Sequence, residues 1–333
     1  MEIKNYLLDL DSKAFARKGS DNIRMYGVGT HIKQIYKELR QFRDIKDIEK
    51  DFKAHQIFSS WILNKNGVAI QELYTLHLYW KHVCSKLDEE LQELWDKCYS
   101  LAVYFGSMNG KKIMLPKELD YRLAYLLGVI CGDGHLAEPN HSYDKLTSYN
   151  SELRITDQNQ ETFVFLTKLF KDLFGYIPNI YSEKSKVNKS FYRFVIRSKP
   201  LHRFLMIVCG IPAGDKRGKT KVPEIIKNAP LELQKWFISG FFDADGCILT
   251  KNRWPAVTIT QYNSNILEEI KEISSELGIK WKGPYSYKYE YNNCTIKIYR
   301  KEDVQKFLNT IPSLNPIKLK QREIVWEKLI KVT

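Results

Sequence analysis

The residues of this chain best placed to do chemistry are two aspartates, Asp133 and Asp245, each of which ends an apolar segment and precedes a glycine. Both segments are long enough to be helices. The last turn of a helix carries partial negative charge, which destabilises an anion by up to about 1 kcal/mol. If two such carboxylates lie side by side, they repel each other and one tends to hold a proton. A divalent cation removes both penalties, and carboxylate oxygens favour a hard ion such as Mg²⁺.

Small residues recur four positions apart in both apolar segments. Gly128 and Gly132 precede the first aspartate at this spacing, and Gly240 and Ala244 precede the second. Residues four apart lie on one face of a helix, and small side chains there allow another backbone to approach closely. We therefore expect the two helices to pack face to face, which would bring both aspartates to the same end of the pair.

The glycines after the aspartates, Gly134 and Gly246, are predicted to stop the helices in the left-handed conformation that glycine adopts without steric cost. The alternative interpretation is a pair of ordinary amphipathic helices that end in Asp-Gly turns. A single copy would leave that interpretation open. Two copies at matching places in a longer repeat favour the metal site.

The sequence around the aspartates repeats along the chain. Residues 154–159 resemble residues 258–263, and residues 194–205 resemble residues 297–308. A polar stretch at 138–150 lengthens the first copy, and insertions of this kind are tolerated in loops. Alternating and helical patterns of apolar residues give each copy the order helix, two strands, helix, two strands, helix. The expected fold class is α+β.

Residues 117–331, with their doubled motif and this order of elements, resemble the LAGLIDADG homing endonucleases in their single-chain form. In that family two tandem αββαββα units pack through the motif helices, and their sheets form a saddle over duplex DNA. The resemblance implies that Asp133 and Asp245 are catalytic acids and metal ligands, in a site that also includes Gly132 and Ala244. The implied cofactor is Mg²⁺, for which Mn²⁺ can substitute.

The first acidic position of the motif differs between its two copies. Cys131 stands where the second copy has Asp243. This position varies in the family and is not the main metal ligand, so the departure does not count against activity. A reactive thiol is not expected at Cys131, because a buried cysteine behaves as a small hydrophobe.

The resemblance also implies basic and polar residues beside the acids. Family members carry a lysine at the start of the last segment of each unit, and Lys320 and Lys216 are our choices here. Lysines in loops are mostly solvated charges, which is the competing interpretation for both. A polar residue at the foot of the second strand often orients water in the family. Gln261 matches that position, and the first unit has Asp157, which could add a carboxylate.

The charge of the chain independently favours a polyanionic partner. The net charge is +13, of which residues 1–118 carry +3 and the remainder +10. Such an excess favours nucleic acid through counterion release, whatever the sequence bound. On an exposed sheet face, basic and aromatic side chains could meet bases and phosphates in the major groove. The expected DNA-binding residues are Arg154, Arg193, Arg197, Lys280, Lys282, Tyr285, Tyr287, Lys288, Lys297 and Arg300.

The expected organisation has four segments: a mainly helical N-terminal domain of unknown role at 1–105, a linker at 106–116, a first unit at 117–230 and a second unit at 231–333. A helix-turn-helix at 28–43 or 63–79 is one interpretation of the first segment, and a helical packing appendage is the other.

Several classes of site and location are not expected. The six cysteines form no Cys-x-x-Cys pair and the seven histidines lack a metal-binding spacing, so we expect neither structural zinc nor disulfides. The first thirty residues lack the apolar core of a signal peptide, and no apolar run approaches membrane-spanning length. We expect a cytoplasmic protein, or a matrix protein if it is organellar. Because Met1 begins the chain and Thr333 ends it without a terminal His-Asn, we do not expect an intein.

The sequence therefore predicts a monomeric, site-specific endonuclease that makes double-strand breaks in a long asymmetric DNA target, in the manner of intron homing. Two alternatives use the same fold. One is an RNA-binding maturase that helps intron RNA to fold, and the other is a DNA-binding regulator that does not cut. Intact paired aspartates favour the enzyme, because a protein that does not cut need not retain their repulsion.

Overall fold

The computed structural model describes residues 1–10, 22–51, 57–63, 65–107, 110–138, 151–184, 190–250, 255–262, 264–286 and 293–331. Backbone contacts divide them into two compact units. The repeat region comprises residues 1–2, 118–197 and 205–333, and the N-terminal region comprises residues 3–117 and 198–204. The two motif copies therefore share one unit rather than forming separate domains.

The N-terminal region is mainly helical, as predicted, but it also contains a small antiparallel sheet of order β2-β1-β3. Its elements before residue 118 are α1 Leu7–Leu10, β1 Arg24–Tyr26, α2 Gly29–Leu39, α3 Ile45–Asp51, α4 Ile57–Ile62, β2 Val68–Ala69, α5 Ile70–Val83, α6 Asp88–Leu101 and β3 Tyr104–Gly106.

Two predictions for this region are wrong. Residues 106–116 are not a linker, because Phe105 and Ile113 exchange backbone hydrogen bonds of 2.7 and 2.8 Å and Leu115 is buried. Neither proposed helix-turn-helix forms in the described residues. Residues 28–43 contain one helix, and residues 63–79 contain strand β2 followed directly by α5.

The repeat region has the predicted order of elements in both copies. The first copy contains α7 Tyr121–Asp133, β4 Gly134–Leu136, β5 Glu152–Asp157, α8 Gln160–Phe174, β6 Asn179–Lys184, β7 Ser190–Arg197, α9 Lys199–Arg203, a π-helical turn at Phe204–Val208 and α10 Glu224–Lys227. Of these elements, α9 belongs to the repeat in sequence but is grouped with the N-terminal region by its backbone contacts. The second copy contains α11 Leu231–Asp245, β8 Gly246–Leu249, β9 Ala256–Gln261, α12 Ser264–Glu276, β10 Lys282–Ser286, β11 Cys294–Ile298, α13 Lys301–Thr310 and α14 Pro316–Lys331. The α+β class is confirmed.

Each copy contains a four-stranded antiparallel sheet, with order β4-β5-β7-β6 in the first and β10-β11-β9-β8 in the second. Apolar side chains on one face of each sheet enter the core, as with Ile155 and Phe194 in the first sheet or Ile259 and Ile296 in the second. Because successive side chains of a strand point to opposite faces, the polar residues between them form the outer face of each sheet.

Helices α7 and α11 pack along the small residues, as the sequence predicts. A side chain at Gly240 would place its Cβ 1.9 Å from the carbonyl oxygen of Tyr125, and one at Gly128 would meet the carbonyl oxygen of Phe237 at 2.1 Å. Contacts this short leave room for glycine alone. They bring the two backbones together and align the ends of the helices.

Within the described part of the chain, no helix combines the length and the apolar character needed to cross a membrane.

A candidate metal centre at the ends of two helices

Asp133 and Asp245 are the last residues of α7 and α11. The glycine after each aspartate begins a strand, so the predicted left-handed stops are wrong. Gly134 has a φ of −76° and Gly246 a φ of −83°, both ordinary extended conformations. Glycine is needed instead for space, because a Cβ at Gly246 would lie 2.1 Å from the ring of Phe242. The chain therefore runs directly from each helix into a strand, with the aspartate at the corner.

Burial, more than any other cause, raises the pKa of both carboxyl groups. The pKa of Asp245 rises from 3.8 to about 7, and Asp133 adds to the rise while Lys216 and Gln261 oppose it. The pKa of Asp133 rises to about 6, with repulsion from Asp157 as the second cause. Asp133 is the more exposed of the two aspartates, so solvent limits the rise of its pKa. Near neutral pH the metal-free pair holds a proton that a cation would displace.

Lys216, one of the two lysines chosen from the family resemblance, lies at the end of the first motif helix. Its Nζ donates to the carbonyl oxygens of Gly132 and Cys131, the second at 3.0 Å. Burial lowers the pKa of Lys216, and the charges of Asp245 and Asp133 oppose that fall. A cation at a helix C-terminus offsets the partial negative charge that the aspartates aggravate.

The second basic residue of the centre is Lys318, so the choice of Lys320 is corrected. Lys318 Nζ donates to the carbonyl oxygen of Gly246 and lowers the pKa of both motif aspartates. Lys320 is exposed and pairs with Glu161 at 3.0 Å. Residues two apart on a helix point in nearly opposite directions, so only one of these lysines can face the centre.

Polar residues at the feet of the second strands complete the centre. Gln261 ends β9, and its side-chain amide donates to Asp245 Oδ2. Asp157 ends β5 at the matching position, and its Oδ1 accepts from the backbone of Asn159 at 2.7 Å. The centre is therefore asymmetric, with an amide on one side and a third carboxylate on the other.

Asp243, the first acidic position of the second motif, anchors the loop that leads to Lys318. Its carboxylate accepts from the hydroxyls of Tyr125 and Ser313 and from the backbone of Leu314 and Asn315, at 2.7 to 3.1 Å. Burial raises the pKa of Asp243, and these donors oppose the rise. Helix α14 begins at Pro316, directly after this loop. Sequence reasoning missed this role, because the partners lie about 70 and 118 residues away along the chain.

The matching position of the first motif, Cys131, anchors nothing through its side chain in the described structure. It is buried, and burial raises the pKa of its thiol to about 12. The thiol is therefore protonated and inert at neutral pH. Both lysines donate to carbonyl oxygens at the motif ends. In the second half the Asp243 carboxylate also anchors the loop that precedes the lysine.

The remaining members of the expected metal set, Gly132 and Ala244, lie at the contact of the motif helices. A Cβ at Gly132 would lie 2.5 Å from the Cβ of Ala244 and 2.9 Å from Asp245 Oδ2. Both residues therefore adjoin the carboxylates through their backbone. The carbonyl oxygen of Gly132 is already an acceptor for Lys216.

The outer faces of the sheets carry most of the described residues that were expected to bind DNA. Arg154, Arg193 and Arg197 share the outer face of the first sheet, and Lys282, Tyr285 and Lys297 share that of the second. The other expected residues divide between two positions: Lys280 and Arg300 are exposed beside strands, and Tyr287 and Lys288 lie outside the described residues.

The arginines of the first sheet are paired with acidic residues, which the sequence did not indicate. Arg154 and Arg197 both bind Glu152, at 2.5 and 2.9 Å, and Arg193 binds Glu183 at 2.7 Å. These ion pairs place each guanidinium group beside a carboxylate on the face. A polyanion would compete with the two glutamates for them.

The arrangement joins three carboxylates, two amine cations and an amide at the ends of the two motif helices. Carboxylate oxygens are the ligands that suit a hard divalent ion. The lysines can balance negative charge that develops on a substrate held there.

Comparison with known proteins finds a family model that matches part of the second copy. Residues 232–312 match the model described as LAGLIDADG-like domain. Over 262 residues the chain is 27% identical to a DNA polymerase of Methanocaldococcus jannaschii, covering 74% of the chain and 14% of the polymerase. Over 166 residues it is 25% identical to the ribonucleoside-diphosphate reductase NrdEB subunit alpha of Bacillus subtilis, covering 47% of the chain and 14% of the relative. The chain thus spans about one seventh of either relative.

Among solved structures, the chain is similar to the homing endonuclease I-DmoI in complex with DNA and Ca. The two are 20% identical with a TM-score of 0.45, and the similarity covers 61% of this chain and 97% of that one.

Proposed function

We propose that this chain, which belongs to the LAGLIDADG family, is a site-specific endonuclease that makes double-strand breaks in a long asymmetric DNA target by metal-dependent hydrolysis. The observation that carries the proposal is the convergence of Asp133 and Asp245, both with raised pKa, beside two lysines. A protein that only bound DNA would gain stability by losing one of these carboxylates. Their retention at the centre of the helix pair favours catalysis.

The donor set fits Mg²⁺ as the cofactor, with Mn²⁺ as a substitute. Asp133 and Asp245 would hold the metal, and the backbone of Gly132 and Ala244 lies next to them. Bound divalent cations at such a site supply charge neutralisation on the phosphate and activation of a water molecule. The metal also resolves the repulsion between the two carboxylates, which is why we expect it to stabilise the folded chain.

The side chains around the acids would divide the remaining work. Lys216 and Lys318 would face the scissile phosphates and balance the charge that develops as the phosphodiester bond breaks. Gln261 holds Asp245 through its amide and would orient water on that side. Asp157, at the matching position of the first unit, would accept a hydrogen bond from water on the other side. The two halves would therefore act on the two strands with different efficiency.

The outer sheet faces would provide the DNA-binding surface. Two antiparallel sheets with basic outer residues can follow the major groove and read base edges. The two units are similar but not identical, so a target with imperfect two-fold symmetry fits a single copy of the chain. We therefore expect the protein to act as a monomer.

In the polymerase and the reductase the similarity covers 14% of each chain. Intron homing is the form of mobility we propose. The sequence-based expectation of a protein that is not an intein stays a prediction.

The proposal is tested by incubating the full chain with a randomised duplex DNA library in Mg²⁺, in Mn²⁺ and with chelator. We expect double-strand cleavage of a narrow set of sequences with either metal and none with chelator. Competition between the selected duplex and structured intron RNA separates the maturase alternative. No cleavage under any condition, together with preferential binding of RNA, would overturn the endonuclease proposal.

A further inference from the structure

Three potential metal ligands converge in the core of the N-terminal region, far along the sequence from one another. His31 lies on α2, His77 on α5 and Cys98 on α6, and all three side chains are buried. One ligand atom from each lies within 4.8 Å of the other two. The spacing along the sequence gave no sign of this cluster, because its members come from three separate helices.

The two imidazoles form a closed polar group in an apolar surrounding. Their Nε2 atoms face each other at 2.9 Å. Among the described residues, neither Nδ1 atom has a hydrogen-bond partner, although both are buried. A metal bound by both Nε2 atoms would replace this Nε2–Nε2 contact and leave each ring as the neutral tautomer with its proton on Nδ1.

Without a metal the two rings share one Nε2 proton and stay neutral. If one Nε2 donates its proton to the other, the accepting ring must carry its own proton on Nδ1. That N–H is then buried without an acceptor. Protonating both rings is worse, since burial lowers the pKa of His31 to about 4 and that of His77 to about 3.

We propose that His31, His77 and Cys98 bind a soft or borderline metal ion, either Cu⁺ or Zn²⁺. Metal–nitrogen bonds of about 2.0 Å at a tetrahedral angle require the two nitrogens to be about 3.3 Å apart. The observed separation of 2.9 Å reaches this value after a small rotation of the rings. Thiolate and imidazole donors are the set that these ions prefer.

The charge and the number of donors favour Cu⁺ over Zn²⁺. Binding requires Cys98 to release its thiol proton to solvent and to coordinate as the thiolate. One thiolate neutralises Cu⁺ completely, whereas Zn²⁺ would leave a net positive charge in an apolar core. Three donors also satisfy a trigonal monovalent ion, while Zn²⁺ takes a fourth ligand. Among the described residues, the cluster contains three.

The site is separate in chemistry from the acidic centre. Asp133 and Asp245 offer only oxygen, so a sulfur ligand that is lost in Cys98→Ala and kept in Cys209→Ala identifies the cluster. Failure of the metal proposal for the N-terminal cluster would therefore leave the endonuclease proposal unaffected, and the reverse also holds.

The test titrates the reduced, metal-free full chain anaerobically with Cu⁺ and, separately, with Zn²⁺ against a competing chelator. Wild type is compared with Cys98→Ala and with Cys209→Ala, which removes a buried cysteine from the repeat region instead. We expect one tightly bound equivalent in wild type and in Cys209→Ala. In Cys98→Ala we expect the affinity for the metal to fall by more than about 100-fold. Altering groups that only contact a metal ligand lowers the affinity by about 10–100-fold.

Co²⁺ absorption of wild type keeps the proposal testable if Cys98→Ala does not fold. We expect a thiolate-to-cobalt charge-transfer band in the near ultraviolet. Oxygen ligands at the acidic centre cannot produce this band. Absence of this band together with no stoichiometric binding of Cu⁺ or Zn²⁺ would reduce the cluster to a histidine pair in the core. Equal binding by Cys98→Ala and wild type would also overturn the proposal.

Discussion

Replacement of Asp245 by asparagine should stabilise the metal-free protein. A carboxyl group whose pKa moves from 3.8 to about 7 disfavours its charged form in the folded chain. Each tenfold change in ionisation corresponds to about 1.4 kcal/mol, so the full effect would be about 4 kcal/mol. The side chain is half-buried, and solvent screening lowers the expected gain to about 2 kcal/mol. Asparagine keeps the acceptor for Gln261 and has no charge to desolvate.

Because the pKa of Asp245 is raised in the folded chain, the stabilisation expected in Asp245→Asn depends on pH. Between about pH 4 and pH 7 the folded chain binds more protons at Asp245 than the unfolded chain does, so the stability of the metal-free wild type falls as pH rises. The advantage of Asp245→Asn should therefore be full above about pH 7 and should vanish near pH 4. Mg²⁺ should reverse the order at pH 8, because it binds the folded wild type and not the variant.

Urea unfolding at several pH values, with chelator and then with Mg²⁺, measures these differences in the free energy of unfolding. Asp215→Asn is the matched control, because Arg217 lowers the pKa of Asp215 to about 2 and its removal should give no gain at pH 8. The reasoning is refuted if metal-free Asp245→Asn is no more stable than wild type at pH 8, or if its advantage does not depend on pH.

Three further changes test the positioning of the centre. Lys318→Ala should slow single-turnover cleavage about 100-fold, as loss of one charge-stabilising donor does. Lys320→Ala should cleave at close to the wild-type rate, and equal effects of the two changes would refute the assignment of Lys318. Gly240→Ala should lower the free energy of unfolding by about 3 kcal/mol in urea, because its Cβ would overlap the facing helix, whereas Gly106→Ala, with no contact under 3.5 Å, should cost far less. Asp243→Asn should lower the free energy of unfolding by about 2 kcal/mol, because it replaces a hydrogen-bond acceptor by a donor. It should slow cleavage without changing the affinity for Mg²⁺, and loss of metal binding would instead show that Asp243 is a ligand.

The repeat and the helix pair could be predicted because local patterns determine them. Small residues four apart identify the buried face of each motif helix, and the aspartates follow from the helix ends. Alternation of apolar residues then places Gln261 at the foot of its strand. Each of these features depends on residues within a few positions of one another, which a single sequence displays.

The features that the sequence did not reveal depend on rotation or on distant partners. Lys318 and Lys320 point to different sides of α14. Which lysine points towards the centre depends on the residue at which α14 begins. The role of Asp243 depends on a loop about 70 residues later. The convergence of His31 with two residues on other helices depends on how the N-terminal helices pack, which periodicity alone does not specify.

The measurement that most directly tests the central claim is strand-resolved cleavage of a selected target by wild type, Asp133→Asn and Asp245→Asn in Mg²⁺. Two aspartates that share one metal centre predict that neither variant makes a double-strand break while both still bind the target. Double-strand cleavage by either variant at the wild-type rate would contradict the account.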